Sequence, residues 1–225
     1  ADGANTSVTL NAGSGNIVLD NTGTGVIHTD IGAVSLTSTG TITISDGITT
    51  DGENINFVGN VVLNSSGGTV AISSGTGGGD IDFSATIDGT TAGANAENLT
   101  ILSGTGTTVI DSHIGATTAI KTFKINDAAG SGAITLSGNV GASDSADGAT
   151  NVTIGNTNTT KITFGGVEFT TLGTQTFTAD DFDVTGADST FGSDSSTISF
   201  VDGGGTGTAS IDSVSYTHLR AHETL

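Results

Sequence analysis

The side chains whose types and spacing could do chemistry in this sequence are mostly acidic. Asp80 and Asp82 in GGGDIDF, and Asp180, Asp181 and Asp183 in TADDFDV, are hard oxygen donors of the kind that ligate Ca²⁺. Paired carboxylates are also the working groups of glycoside hydrolysis. His28 in VIHTD and His113 in DSHIG each stand close to an acidic residue. Near the end of the chain, His218, His222 and Glu223 have a spacing that invites a metal reading.

Each of these lacks a companion that the chemistry needs. The tandem GGxGxDxUx nonapeptide of calcium-binding β-rolls does not occur, and in GGTGTA from Gly204 the position of its Asp is taken by Ala209. On a strand, Asp80 and Asp82 point to one side, as do Asp181 and Asp183, so each pair reads as a solvated outer edge before it reads as a calcium site. Carbohydrate chemistry needs a cationic group beside the acids and an aromatic platform for the sugar. Before residue 213 there is no Arg, Trp or Tyr, and the only Lys are Lys121, Lys124 and Lys161. Neither His28 nor His113 has a nucleophile constellation that stands out from the abundant Ser. The Gly-rich stretches lack the Lys and the following helix of a phosphate loop. The expectation is that the chain is not an enzyme and has no catalytic, cofactor-binding or metal-ligating residue and no cofactor.

The elements that position these residues are short alternations of polar and apolar side chains. They recur as SVTL at Ser7, NIVL at Asn16, AVSL at Ala33, TITI at Thr41, NINF at Asn54, TVAI at Thr69, DIDF at Asp80, NLTI at Asn98, AITL at Ala133, NVTI at Asn151, KITF at Lys161 and DFDV at Asp181. A period of two marks half-buried strands, and no helical period of useful length competes with it. Gly-x-Gly connectors at Gly13, Gly23, Gly75 and Gly104 supply turns. VTLNAGSGNIVL, VAISSGTGGGDIDF and LTILSGTGTTVI share the order strand, Gly-x-Gly, strand, at irregular intervals. The repeat is degenerate.

Composition narrows the architecture. The 225 residues include 36 Gly and no Pro, Cys, Met or Trp, with Lys+Arg 4 against Asp+Glu 23 and a net charge of -19. The β-branched apolar residues and a mean hydropathy of +0.11 separate the chain from disordered polar sequences. With no basic stripe, nucleic acid is not an expected partner, and no apolar run approaches the roughly 20 residues of a spanning helix. A sandwich of immunoglobulin type anchors its core on Trp or Tyr and uses Pro at edges and turns. A parallel β-helix needs only a narrow stack of Val, Ile, Leu and Phe, with Thr, Asn and Ser outside, and is the favoured reading. Coils of roughly 20 residues stacked about 4.8 Å apart would give on the order of ten coils and a rod near 50 Å long. Polar stretches at Thr90–Glu97 and Gly141–Thr150 are expected to be loops leaving the rod.

NLTILSGTGTTVIDSHIGATTAIKTFKI from Asn98 and LGTQTFTADDFDVTG from Leu172 resemble repeats of the filamentous-haemagglutinin-like exoproteins and large autotransporter adhesins of Gram-negative bacteria, with Phe177 where those repeats often have Tyr. The likeness is diffuse over roughly Ser7 to Gly205. It implies an all-β, right-handed parallel β-helix, export, and cell adhesion or aggregation, and it carries no catalytic residues. On this reading residues 1–212 are a fragment of a longer secreted protein held at the bacterial outer membrane. Its partners would be surface glycans or proteins of a host or neighbouring cell, and the adjoining coils of the parent chain. An S-layer or other envelope matrix protein is the alternative, followed by a carbohydrate-active β-helix.

Composition changes abruptly at the C-terminus. VSYTHLRAHET, from Val214 to Thr224, holds the only Tyr, the only Arg and two of the four His. It resembles the translation of a transposase-type sequencing adapter, so residues 213–225 are expected to be a non-native tail and His218, His222 and Glu223 are set aside. Deleting Val214–Leu225 should leave the melting temperature unchanged in a thermal scan, whereas a fall of several degrees would show that the tail packs on the core.

Overall fold

A computed structural model describes residues 6–20, 31–90, 96–141, 149–194 and 196–204. His28, the Gly-x-Gly at Gly23, the insertion residues 91–95 and 142–148, and the tail from 213 with its His218, His222 and Glu223 lie outside the described residues. Among those described there is no helix, and every strand pairing is parallel. That removes the antiparallel sandwich. The chain is a parallel β-solenoid.

Each coil visits three faces in turn. The first face stacks β1 (Thr6–Asn11), the leading halves of β3 (Ile31–Ile44) and β5 (Ile55–Leu63), then β7 (Ile81–Phe83), β10 (Thr108–Ile110), β12 (Ile134–Leu136), β14 (Ile162–Phe164) and β17 (Phe182–Val184). The second takes β2 (Ile17–Leu19), the trailing halves of β3 and β5, and β8 (Ile87–Gly89). It continues through single bridges at Ile114 and Val140 to β15 (Glu168–Thr171) and β18 (Thr190–Ser193). The third stacks β4 (Ile48–Thr49), β6 (Thr69–Ser73), β9 (Asn98–Leu102), β11 (Thr122–Ile125), β13 (Asn151–Gly155), β16 (Gln175–Ala179) and β19 (Ile198–Asp202).

All twelve alternating segments named from the sequence fall on strands of this stack. The repeat is the roughly 20-residue unit expected at its shortest, as between Ile162 and Phe182, and lengthens where turns are longer, as between Thr69 and Asn98. Among the described residues the first face has eight rungs, a stack about 34 Å long at ordinary strand spacing.

Because the pairing is parallel and in register, like residues lie on like residues. Ile55, Ile81, Thr108, Ile134, Ile162 and Phe182 form one inward column, and Phe57, Phe83, Ile110, Leu136 and Phe164 the next. Nearly all are fully buried. Aromatic register partners stack directly: Phe57 on Phe83 with centroids 4.4 Å apart, Phe169 on Phe191 at 5.3 Å and Phe177 on Phe200 at 5.0 Å. The described Gly-x-Gly connectors turn the chain from one face to the next instead of closing hairpins. Those after β6 and β9 make the corner from third to first face, whereas Gly13 serves the corner between β1 and β2. At the first of these corners the coils touch backbone to backbone: a Cβ at Gly132 would meet the Gly106 carbonyl oxygen at 1.6 Å.

Truncating Phe57 to Ala removes the ring stacked on Phe83 and opens a cavity that neighbouring coils cannot close, at a cost of about 3–5 kcal/mol. Denaturant unfolding should show this, with amide exchange accelerating first in β3, β5 and β7. A cost below about 1 kcal/mol would mean that the two rings do not stack.

Candidate functional site

The acidic pairs come from the outward positions of the first face. In register, Asp80 and Asp181 share one column, and Asp82 and Asp183 the next, with three rungs between the two pairs. They are roughly 19 Å apart along the stack and form no common site. The alternation that makes them look like repeated motifs in the sequence also makes them one position of the repeat, used twice.

Their oxygens are engaged locally. Asp80 Oδ1 accepts from the Thr107 backbone N–H at 2.7 Å and from its hydroxyl at 2.9 Å, one coil on. Asp181 and Asp183 both face Lys161 Nζ, at 3.3 and 3.0 Å. Donating to the Asp183 and then the Asp181 carboxylate holds the pKa of the Lys161 ammonium above its ordinary value. The expectation of a merely solvated edge is thus refined: the second pair carries its own cation, a lysine, where a calcium site would need open oxygens. Among the described residues, no group of three or more His, Asp or Glu stands close enough to hold a metal ion.

Asp82 differs from its neighbours. Its Oδ1 is buried against the sheet with no hydrogen-bond partner, and burial, aided by the charge of Asp111, pushes its carboxyl above the usual value of 3.8. His113 lies exposed at the corner after β10, and only its backbone carbonyl is used, accepting from Ile87 N–H at 2.9 Å. Lys124 pairs with Asp127 at 2.6 Å. Seven of the nine Phe are buried, and Phe191 and Phe200 are half-buried and pack against that core.

What the sequence reading missed is the service performed by Asx side chains at the corners. Backbone ladders lapse where the chain turns, and there a side-chain oxygen takes the N–H of the next coil. Asn16 accepts from Thr41 at 3.0 Å, Asn54 from Asp80 at 2.9 Å, Asp88 from Thr117 at 2.8 Å, Asn139 from Glu168 at 2.9 Å and Asn151 from Thr174 at 3.2 Å. The signal was available: each stands just before a strand or corner. Inside the stack, buried Asn126 performs the same task, accepting from Ser103 N–H at 2.9 Å and donating to its hydroxyl at 3.1 Å. The described flanks of the two polar insertions, Thr90 with Glu97 and Gly141 with Ala149, both lie at the corner from second to third face. Glu97 is wholly buried and accepts from the Thr90 backbone and hydroxyl.

The Asp82 carboxyl supplies a signed pH prediction. Its folded value lies above its unfolded one, so its ionisation works against folding at neutral pH, and acidification through the raised value relieves that penalty. Asp82→Asn should therefore be the more stable protein at pH 7, and its advantage should shrink as the pH falls through the raised value. Parallel thermal melts test this; an advantage that widens on acidification contradicts it.

Comparison with protein-family models, curated proteins and solved structures finds no match. The structural likeness is to β-solenoid repeat proteins in general, and the adhesin assignment rests on the sequence resemblance alone.

Proposed function

We propose that this chain is a structural and adhesive stalk segment of a secreted bacterial surface protein, with no catalytic activity of its own. The observation that carries the reading is the fate of the polar groups. The acidic side chains of the first face stand as two pairs with three rungs between them, and Asp80, Asp181 and Asp183 are each tied to the neighbouring coil. Catalysis needs preorganised charge of both signs around one point. A stalk needs length, a regular surface and solubility.

The physics of the surface fits that role. A net charge of -19 makes rods repel one another and stay soluble. The absence of Cys suits a chain that crosses envelopes unfolded. No helix among the described residues is long and apolar enough to cross a membrane. The partners are glycans or proteins on a host or neighbouring cell.

Beads coated with the purified chain should bind cultured cells or bacterial aggregates above the level of beads carrying an inert acidic protein. A panel of polysaccharides incubated with the soluble chain should show no new reducing ends or unsaturated products. Turnover of any member of the panel would replace the stalk reading with the carbohydrate-active one.

A further inference from the structure

The two inward columns of the first face are closed at Val34 and Leu36, each 1% exposed, but open one rung earlier. There Leu10 is 40% exposed and Val8 only partly buried. β1 pairs with β3 on one side and, among the described residues, with no strand on the other. It is an open edge laid over the end of the core. We propose that this edge binds the same edge of a second copy of the chain, joining two rods N-terminal end to N-terminal end.

The edge lacks the devices that ordinarily block such pairing, which are charged side chains, proline, bulges or a covering segment. β1, β2, β3 and the turn between β1 and β2 contain no charged residue and no proline. The one irregularity, a register shift between Thr6 and Val8, comes before the regular run of 8–11 on 34–37. Val8, Thr9, Leu10 and Asn11 therefore form a straight strand whose outer side is a template for another.

Charge selects the partner. Copies of a chain with net charge -19 meet with least repulsion where neither carries charge. The opposite end of the stack holds six Asp between Asp180 and Asp202, with Lys161 paired to two of them. Contact between two C-terminal ends opposes like charges, and a head-to-tail contact takes those carboxylates out of water against an apolar edge. Only the N-terminal end meets its own kind without either cost.

Geometry fixes the register. Two-fold pairing of one strand with itself is antiparallel, and directly opposite residues point to the same side of the sheet. An axis through Thr9 sets Val8 of each copy opposite Leu10 of the other, which closes both columns. Thr9 then faces Thr9 on the outer surface, in line with its outward register partner Ser35. The inference goes beyond the stalk reading and does not depend on it.

Sedimentation equilibrium of the full chain should show the mean mass rising from one copy to two with concentration, and rising further in added salt, which screens the net charge. Leu10→Lys, a charge on the open edge, should weaken the dimer roughly tenfold or more. Thr9→Asp, at an exposed position, sets two carboxylates opposite each other and should have the same effect even where Leu10→Lys disturbs folding. Under oxidising conditions Thr9→Cys should form a covalent dimer, and Thr163→Cys, outward in the middle of the stack, should not. A chain that stays monomeric at every concentration and salt overturns the proposal and leaves the edge to a preceding coil of a longer parent chain. A dimer that survives both edge substitutions, or in which Thr9→Cys stays reduced, places the contact elsewhere and overturns it equally.

Discussion

The constraint on which the structure depends is the stacking of parallel coils in register, which places every residue about one strand spacing above its counterpart. A column must then be made of residues that tolerate their own kind. Aliphatic and aromatic side chains do so by burial and ring stacking, as Phe57 does on Phe83. Glycines do so at corners where nothing larger fits. Charged groups do so badly, which is why Asp80 and Asp181 stand with three rungs between them, and why Asp183 has Lys161 beside it on the preceding coil.

The same constraint accounts for the polar interior of the corners. Where the chain turns from one face to the next the backbone ladder fails, and the orphaned N–H groups must find acceptors or lose stability. Asn and Asp have the reach to supply them across one rung. Asn16, Asn54, Asp88, Asn139 and Asn151 do so among the described residues, and Asp80 ties to Thr107 in the same way. Asp82 marks the limit of the arrangement, a carboxyl with one buried oxygen that no neighbouring coil satisfies.

How far this was legible from residues alone varies with the kind of signal. Alternation located segments such as NVTI and KITF, because a half-buried strand leaves a period of two wherever it forms. It did not mark β8, β15 or β18, whose IDG, EFTT and TFGS carry too few alternating apolar positions to stand out and are held by tertiary register instead. The parallel topology followed from missing residue types, Trp, Tyr and Pro, more than from any motif. Gly-x-Gly marked corners but could not say which: the match between GSG at Gly13 and GTG at Gly104 joins two different corners.

The most direct test of the account exploits the absence of native cysteine. Thr135 and Thr163 are outward register partners on β12 and β14, so cysteines at these positions should sit within the Cα separation of roughly 4.4–6.8 Å that a disulfide spans. The account predicts that Thr135→Cys/Thr163→Cys oxidises fully in the folded protein, while Thr135→Cys/Thr153→Cys, with its second cysteine on the third face, stays reduced. Closure of the second pair in preference to the first would contradict the three-faced parallel stack.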